Sequence, residues 1–225
     1  MRLFAISDLH LPGGMDKSMD RFGPGWVGHF DKISADWRSR VTPQDLVLLP
    51  GDLSWAMAFD DALADIDAIC ALPGRKILLK GNHDYWWGSV SRLRSKLPEG
   101  VYAIQNDAVT VENVTVAGSR GWEYGAQADE KVMRREVLRM QMSLQAAAAR
   151  PSERLVAMMH FPPFDEHGRL TPFTELFEAY GVSDVVYGHL HGPGVHAAKT
   201  GKIGTVRYHL VSCDALDFAL CQLPG

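Results

Sequence analysis

Leu46-Val47-Leu48-Leu49-Pro50-Gly51-Asp52 is an apolar run that ends at a proline and a glycine and then presents a single carboxylate. Apolar runs that end in a polar tip recur on both sides of it. Leu3–Ser7 leads into Asp8-Leu9-His10, and Lys76–Lys80 leads into Gly81-Asn82-His83-Asp84. Leu155–Met159 leads into His160, and Asp184–Tyr187 leads into Gly188-His189-Leu190-His191. Val109–Ala117 and Arg207–Ser212 complete the candidate strands. Such runs, alternating with segments of helical period, predict a layered α/β architecture. In an α/β sheet ligand clefts form at the carboxyl ends of strands, so five strands would bring their polar tips to one rim.

Between the strands, Phe59, Leu63, Ile66 and Cys70 recur at helical spacing, as do Met133, Val137, Met140 and Leu144 in a longer segment from Asp129 to Ala149. Both read as core-packing stripes, the second stopped by Pro151. Leu11–Gly28 is rich in glycine and proline and predicts a loop ahead of a helix. A loop of that length directly after a motif is more often functional than idle. No repeat or boundary divides the 225 residues, and one domain over 1–225 is expected. Composition is that of a globular chain, with 46% hydrophobic and 22% charged residues. The net charge of −4, with no basic stripe, gives no support to dedicated nucleic-acid binding. No run is long enough to span a membrane, no signal-peptide pattern opens the chain, and the three cysteines lack disulfide or zinc spacing. A reducing, cytoplasmic setting is the expectation. The oligomeric state is left open.

The polar tips are aspartate, asparagine and histidine, hard-to-borderline donors suited to Mn²⁺, Fe²⁺, Zn²⁺ or Ni²⁺. Asp8 and His10, like His189 and His191, are two residues apart. That offset diverges on a helix but converges at a strand end or the loop after it. Gly51, Gly81 and Gly188 each precede a proposed ligand, where backbone must approach closely. If two divalent ions meet the carboxylates of Asp8 and Asp52 and one bridging hydroxide, the centre keeps one positive charge. That favours an anionic phosphoester as substrate.

Taken in order, Asp-x-His, Gly-Asp, Gly-Asn-His-Asp, His and Gly-His-x-His resemble the motifs of the calcineurin-like metallophosphoesterases, from Asp8 to His191. The resemblance implies a four-layer α-β-β-α sandwich of two mixed β-sheets. It also implies hydrolysis of a small phosphomono- or phosphodiester by a hydroxide bridging two divalent metal ions. Carried over, Asp8, His10 and His191 hold one ion, Asn82, His160 and His189 complete the other, and Asp52 bridges both. His83 resembles the histidine that contacts the phosphate and protonates the leaving oxygen, a role suited to a side chain titrating near neutral pH. Asp84 is expected in a supporting position.

Departures from the better-known branches narrow the reading. Protein phosphatases of this superfamily follow the bridging aspartate with Tyr/Phe-Val-Asp-Arg-Gly, whereas this chain has Leu53-Ser54-Trp55-Ala56-Met57. The lipid A enzymes that cleave UDP-diacylglucosamine carry arginine where His83 stands. The bacterial phosphodiesterase branches keep Gly-Asn-His-Asp and fit best.

Tyr85 and Trp86 begin beside the proposed phosphate site and are candidate substrate walls, although core packing is the ordinary role of such residues. Arg120 is a candidate phosphate clamp or a plain surface arginine. His29, His167, His196 and His209 lie outside the motifs and read as structural or surface residues. The alternative function is a metal-binding module without turnover that acts through a partner. Retention of His83 beside a full ligand set argues against it.

Overall fold

A computed structural model describes residues 1–15, 18–124 and 129–225. The first sheet holds β1 (Leu3–Ala5), β2 (Leu46–Leu49), β3 (Arg75–Leu79) and β4 (Val101–Ile104) in parallel, and β11 (Cys221–Gln222) joins the outer side of β1 antiparallel. The second sheet runs β5 (Asp107–Val111), β6 (Val114–Gly118), β7 (Arg154–Met158), β8 (Asp184–Tyr187), β10 (Val206–Leu210) and β9 (Gly201–Ile203). Its two outer pairs are antiparallel and the inner pairs parallel. Both sheets are therefore mixed.

Strand periodicity sorts the apolar side chains into three cores. Successive residues point to opposite faces, so Leu3, Ala5, Leu46, Leu48, Ile77 and Leu79 turn toward the second sheet and meet Val114, Val116, Val156, Met158 and Val186. Phe4, Val47, Leu49 and Leu78 face the other way, onto α1 (His29–Arg40), α2 (Phe59–Cys70) and α3 (Val90–Arg94). Ala117, Ala157, Val185, Tyr187 and Tyr208 pack against α4 (Glu130–Ala148) and α5 (Pro172–Ala179). Strands covered on both faces have no polar alternation, which is why the sequence shows unbroken apolar runs. The four layers are helix, sheet, sheet, helix.

Several expectations need correction. Val109–Ala117 is not one strand but a hairpin, because Glu112 takes a left-handed φ of 53° and reverses the chain between Val111 and Val114. The buried stripe of α2 is Phe59, Ala62, Ile66 and Ile69, while Leu63 is 36% exposed. Small Ala62 lets the helix rotate toward the sheet, a choice that spacing alone does not settle. The stripe of Met133, Val137, Met140 and Leu144 packs as expected, in a helix capped by the Asp129 carboxylate, which accepts from Lys131 N at 2.8 Å. The Leu11–Gly28 loop carries short 3₁₀ turns at Met19–Phe22 and Pro24–Trp26, and its residues 16 and 17 lie outside the described residues. His29 fastens it, with Nε2 2.7 Å from Leu9 O and Nδ1 3.2 Å from Trp26 O.

At the amino ends of the second sheet's strands, buried Asp184 meets Arg154 at 2.7 Å and His209 at 2.9 Å. Burial raises this carboxyl, but the bonds from His209, Arg154 and Ser183 prevail and hold it at about 2. A folded-state value below the unfolded one gives stability that is present above about pH 4 and lost as pH falls toward 2, worth about 2 kcal/mol. Asp184→Asn is therefore expected to lower the unfolding free energy by about that amount at pH 7, with the gap to wild type closing near pH 2. Denaturant titrations of both proteins across this range check it, and a gap independent of pH would contradict it.

Candidate metal centre

Every proposed ligand sits two to five residues past the carboxyl end of a parallel strand. Asp8 and His10 follow β1, Asp52 follows β2, Asn82 follows β3, His160 follows β7, and His189 and His191 follow β8. The two sheets meet at this rim, where Ser7 N donates to Val211 O at 2.8 Å and Asp8 N to Gly51 O at 2.9 Å. The chain must turn sharply to aim each tip inward. Four of the eight non-glycine residues with left-handed φ among the described residues are Asp8 (61°), His10 (45°), Asp52 (54°) and His189 (72°). Strain of this kind persists only where the surroundings enforce it, and it gathers at functional sites.

Two groups of donors result, Asp8 with His10 and His191, and Asp8 with Asp52 and His160. His191 Nε2 lies 3.2 Å from Asp8 Oδ1, and His10 Nε2 lies 4.0 Å from Asp8 Oδ1 and 3.8 Å from Asp52 Oδ2. His160 Nε2 is 3.4 Å from Asp52 Oδ2. Asn82 Oδ1 meets His160 Nε2 at 2.6 Å and His189 Nδ1 at 3.0 Å, so the other expected ligands also converge. Close approach of backbone is needed as expected: a methyl on Gly81 would overlap the Asp52 carboxylate, and one on Gly188 would overlap Ser7 and the Asp8 carboxylate.

The electrostatics fit a divalent cation. Burial pushes His10 and His160 down to about 3, leaving neutral imidazoles with a lone pair to offer. His10 Nδ1 is buried without a hydrogen-bond partner, and Nε2 meets the carboxylates only at non-bonding distances. Burial, together with the charges of Asp84 and Asp8, raises Asp52 well above the usual carboxylate range. Asp8 goes the other way: burial raises it, but the His191 hydrogen bond and the nearby imidazoles hold it below that range. His191 rises to about 10 despite burial, because Asp214 and Asp8 both bond to it. Buried carboxylates that draw a proton onto a neighbouring histidine are carboxylates short of a cation.

Supporting residues hold these groups. Asp84 is fully buried and accepts from Asp52 N, Leu53 N, Ser54 N, Gly81 N and Trp86 Nε1 at 2.7–3.2 Å. Asp214, which the sequence reading passed over, accepts from His191 Nδ1 at 2.8 Å and from Gly192 N at 2.9 Å. It lies just beyond β10, so the rule that polar tips follow apolar runs could have found it. Orienting a ligand histidine in this way typically matters 10–100-fold in metal affinity. Asp214→Ala is expected to weaken metal binding by about that factor, read by competition against a chromophoric chelator.

His83 lies at the cavity floor with its amide N donating to Asp52 Oδ1 at 2.8 Å and its ring 4.6 Å from Trp55. The other candidates fall elsewhere. Trp86 is turned into the core at 2% exposure, its indole N–H held by Asp84. Tyr85 is exposed, its ring edge-on to His83 at 6.2 Å. The Arg120 guanidinium lies over Trp122 at 5.0 Å, while its carbonyl accepts from His160 N at 3.1 Å. His209 is structural, and His167 and His196 are exposed.

Two mixed sheets converge carboxylates and imidazoles on one rim, a donor set that could hold a metal ion. The chain belongs to the calcineurin-like phosphoesterase family, whose model matches residues 1–193, and its general activity is metal-dependent phosphoester hydrolysis. Among curated proteins none matches it significantly in sequence. The fold is similar to that of AQ665 from Aquifex aeolicus, a protein of unknown function, at 16% identity and TM-score 0.52, covering 98% of this chain and 95% of that one. It is also similar to GAP50, the anchor in the inner membrane complex of Plasmodium, at 12% identity and TM-score 0.51, covering 94% and 71%. Among the described residues no helix is long and apolar enough to cross a membrane.

Proposed function

We propose that the chain is a dinuclear enzyme that hydrolyses a small phosphomono- or phosphodiester. The observation that carries this reading is the position of Asp52, whose Oδ2 faces His10 Nε2 at 3.8 Å on one side and His160 Nε2 at 3.4 Å on the other. Asp52 thereby faces one imidazole of each donor group, and Asp8 belongs to both. In this reading Asp8, His10 and His191 hold one ion, Asn82, His160 and His189 the second, and Asp52 bridges. The donor set suits Mn²⁺, Fe²⁺, Zn²⁺ or Ni²⁺.

When bound, the ions supply Lewis acidity toward the phosphoryl oxygens and a water acidic enough to attack phosphorus near neutral pH. The chain's own groups do the rest. Asp8 and Asp52 bring the charge that holds the centre together, and the buried hydrogen bonds of Asp84 fix the turn that presents Asp52. His83, tied by its amide to Asp52, stands at the cavity floor to give a proton to the departing oxygen.

The test is to strip the protein with chelator and reload it with each ion. Each form is then assayed on p-nitrophenyl phosphate, bis-p-nitrophenyl phosphate and cyclic nucleotides. Metal-dependent turnover is expected, and His83→Asn should lower kcat by about 10²-fold while metal content stays the same. Metal-loaded protein inert toward every ester would overturn the enzyme reading in favour of a binding module.

A further inference from the structure

We propose that the substrate carries its phosphate on an uncharged, planar aromatic group, and that Phe22, Trp26 and Trp55 form the seat for that ring. This rests on the hydrolase reading and names its substrate class. The donor groups open into a cavity of about 370 Å³. Imidazoles and Asp52 make its floor, while Met19, Phe22, Trp26, Trp55 and Pro193 make its wall. The volume is at the small end for ligand sites, enough for a phosphate and one ring system.

The wall is fixed at two points and open at a third. Trp55 stacks on His10 at 4.6 Å with only 20° between the planes, and its indole N–H reaches Met19 Sδ at 3.3 Å. Trp26 is 6% exposed, 5.9 Å from His191 and braced edge-on by Phe218 at 5.2 Å. Phe22 belongs to none of the three cores and is 62% exposed at the end of its 3₁₀ turn. Core packing therefore explains the two tryptophans in part but not an aromatic ring left in water at the mouth of the same cavity. Rigid aromatic faces beside an open one offer edge and stacking contacts to a flat apolar ligand.

Charge narrows the class further. Among the described residues lining the cavity there is no lysine or arginine, so along the wall a second phosphate or a carboxylate on the substrate would find no cation. Asp214, the remaining polar group on that side, is already bonded to His191 and Gly192. A sugar in place of the planar ring would likewise leave its hydroxyls unsatisfied against the indoles. An aryl alcohol and a nucleoside both offer a neutral planar ring, joined directly to the phosphate oxygen in the first and through one ribose in the second.

The test is calorimetric titration of Mn²⁺-loaded protein with methyl-, cyclohexylmethyl- and benzylphosphonate, which are not hydrolysed and so report binding alone. Benzylphosphonate is expected to bind about tenfold tighter than methylphosphonate, and tighter than the puckered cyclohexylmethyl compound. In Phe22→Ala the benzyl-over-methyl ratio should fall about threefold or more. Equal affinities, a cyclohexylmethyl compound as tight as benzyl, an unchanged ratio in Phe22→Ala, or no phosphonate binding would each overturn the proposal. Equal affinities alongside continued turnover of p-nitrophenyl phosphate would remove this inference and leave the hydrolase reading intact. A benzyl preference in protein inert toward all esters would remove the hydrolase reading and leave the aromatic seat as a binding site only. Comparing adenosine 5′-monophosphate with ribose 5-phosphate then separates the two sources. A gain from the base equal to the methyl-to-benzyl gain assigns the ring to a nucleoside, and a smaller gain assigns it to an aryl alcohol.

Discussion

Asp52→Asn is expected to abolish metal-dependent phosphoester turnover, by on the order of 10³-fold or more in kcat, while leaving the fold intact. The substitution is close to isosteric. The asparagine carbonyl can still accept the His83 amide, which now donates to Asp52 Oδ1 at 2.8 Å. What disappears is the second oxygen, Oδ2, replaced by an N–H₂ group with no lone pair to offer a cation. Stability should move in opposite directions depending on metal. Without metal, wild type carries the cost of a carboxyl buried beside Asp8 and Asp84, whose charges, after burial itself, push Asp52 upward. The neutral amide relieves that repulsion, so the stripped variant should melt ~2–5 °C above stripped wild type. With metal the order should reverse, because wild type gains more binding energy than the variant. Thermal melts of the four forms, with steady-state rates on p-nitrophenyl phosphate, measure both effects. A variant that keeps wild-type kcat would remove Asp52 from the centre.

The second large effect is on folding. Asp84→Ala leaves five buried donors, the amides of Asp52, Leu53, Ser54 and Gly81 and the Trp86 indole, without their acceptor. Burial raises the Asp84 carboxyl, and these bonds work against that rise. An ionised carboxylate is acceptor-only, and both oxygens here are fully used. Each orphaned donor costs about 1–3 kcal/mol where it cannot reach water, and water entering the small void would recover part of that. The net loss is expected at about 4–5 kcal/mol, a fall in Tm of about 10 °C or more. Asp84→Asn should lose about half as much, since its amide N–H₂ would face the amides of Gly81 and Asp52. Calorimetric melts read both, and a loss below about 1 kcal/mol for alanine would show that the turn is held by other contacts. Loosening it also frees Asp52, so metal affinity should fall in parallel.

The fold was legible where its signal is local. An apolar run buried on both faces and followed by a polar tip, three times out of five after a glycine, is a statement about seven or eight consecutive residues. Five such statements placed the candidate metal donors on strand ends before any contact was known. Asp214 follows the same rule after β10, but an isolated aspartate carries no motif, and only its 2.8 Å bond to His191 singles it out. The hairpin at Glu112 was hidden for a related reason. Val109–Val111 and Val114–Ala117 are apolar on either side of a turn that contains neither glycine nor proline.

What the sequence by itself determined is therefore the chemistry: which residues bear charge and lone pairs, and that they recur at the carboxyl ends of strands in an α/β layer order. Hydrophobic period and residue type are properties of neighbours along the chain, and they survive without coordinates. The tertiary structure alone decided which face α2 buries, that Trp86 turns into the core, and that Phe22, Trp26 and Trp55 come to line one cavity with the candidate metal donors. Those outcomes depend on which side chain fills a given space best once the sheets are stacked. Packing is a competition among residues far apart in sequence, so it has no local signature to read.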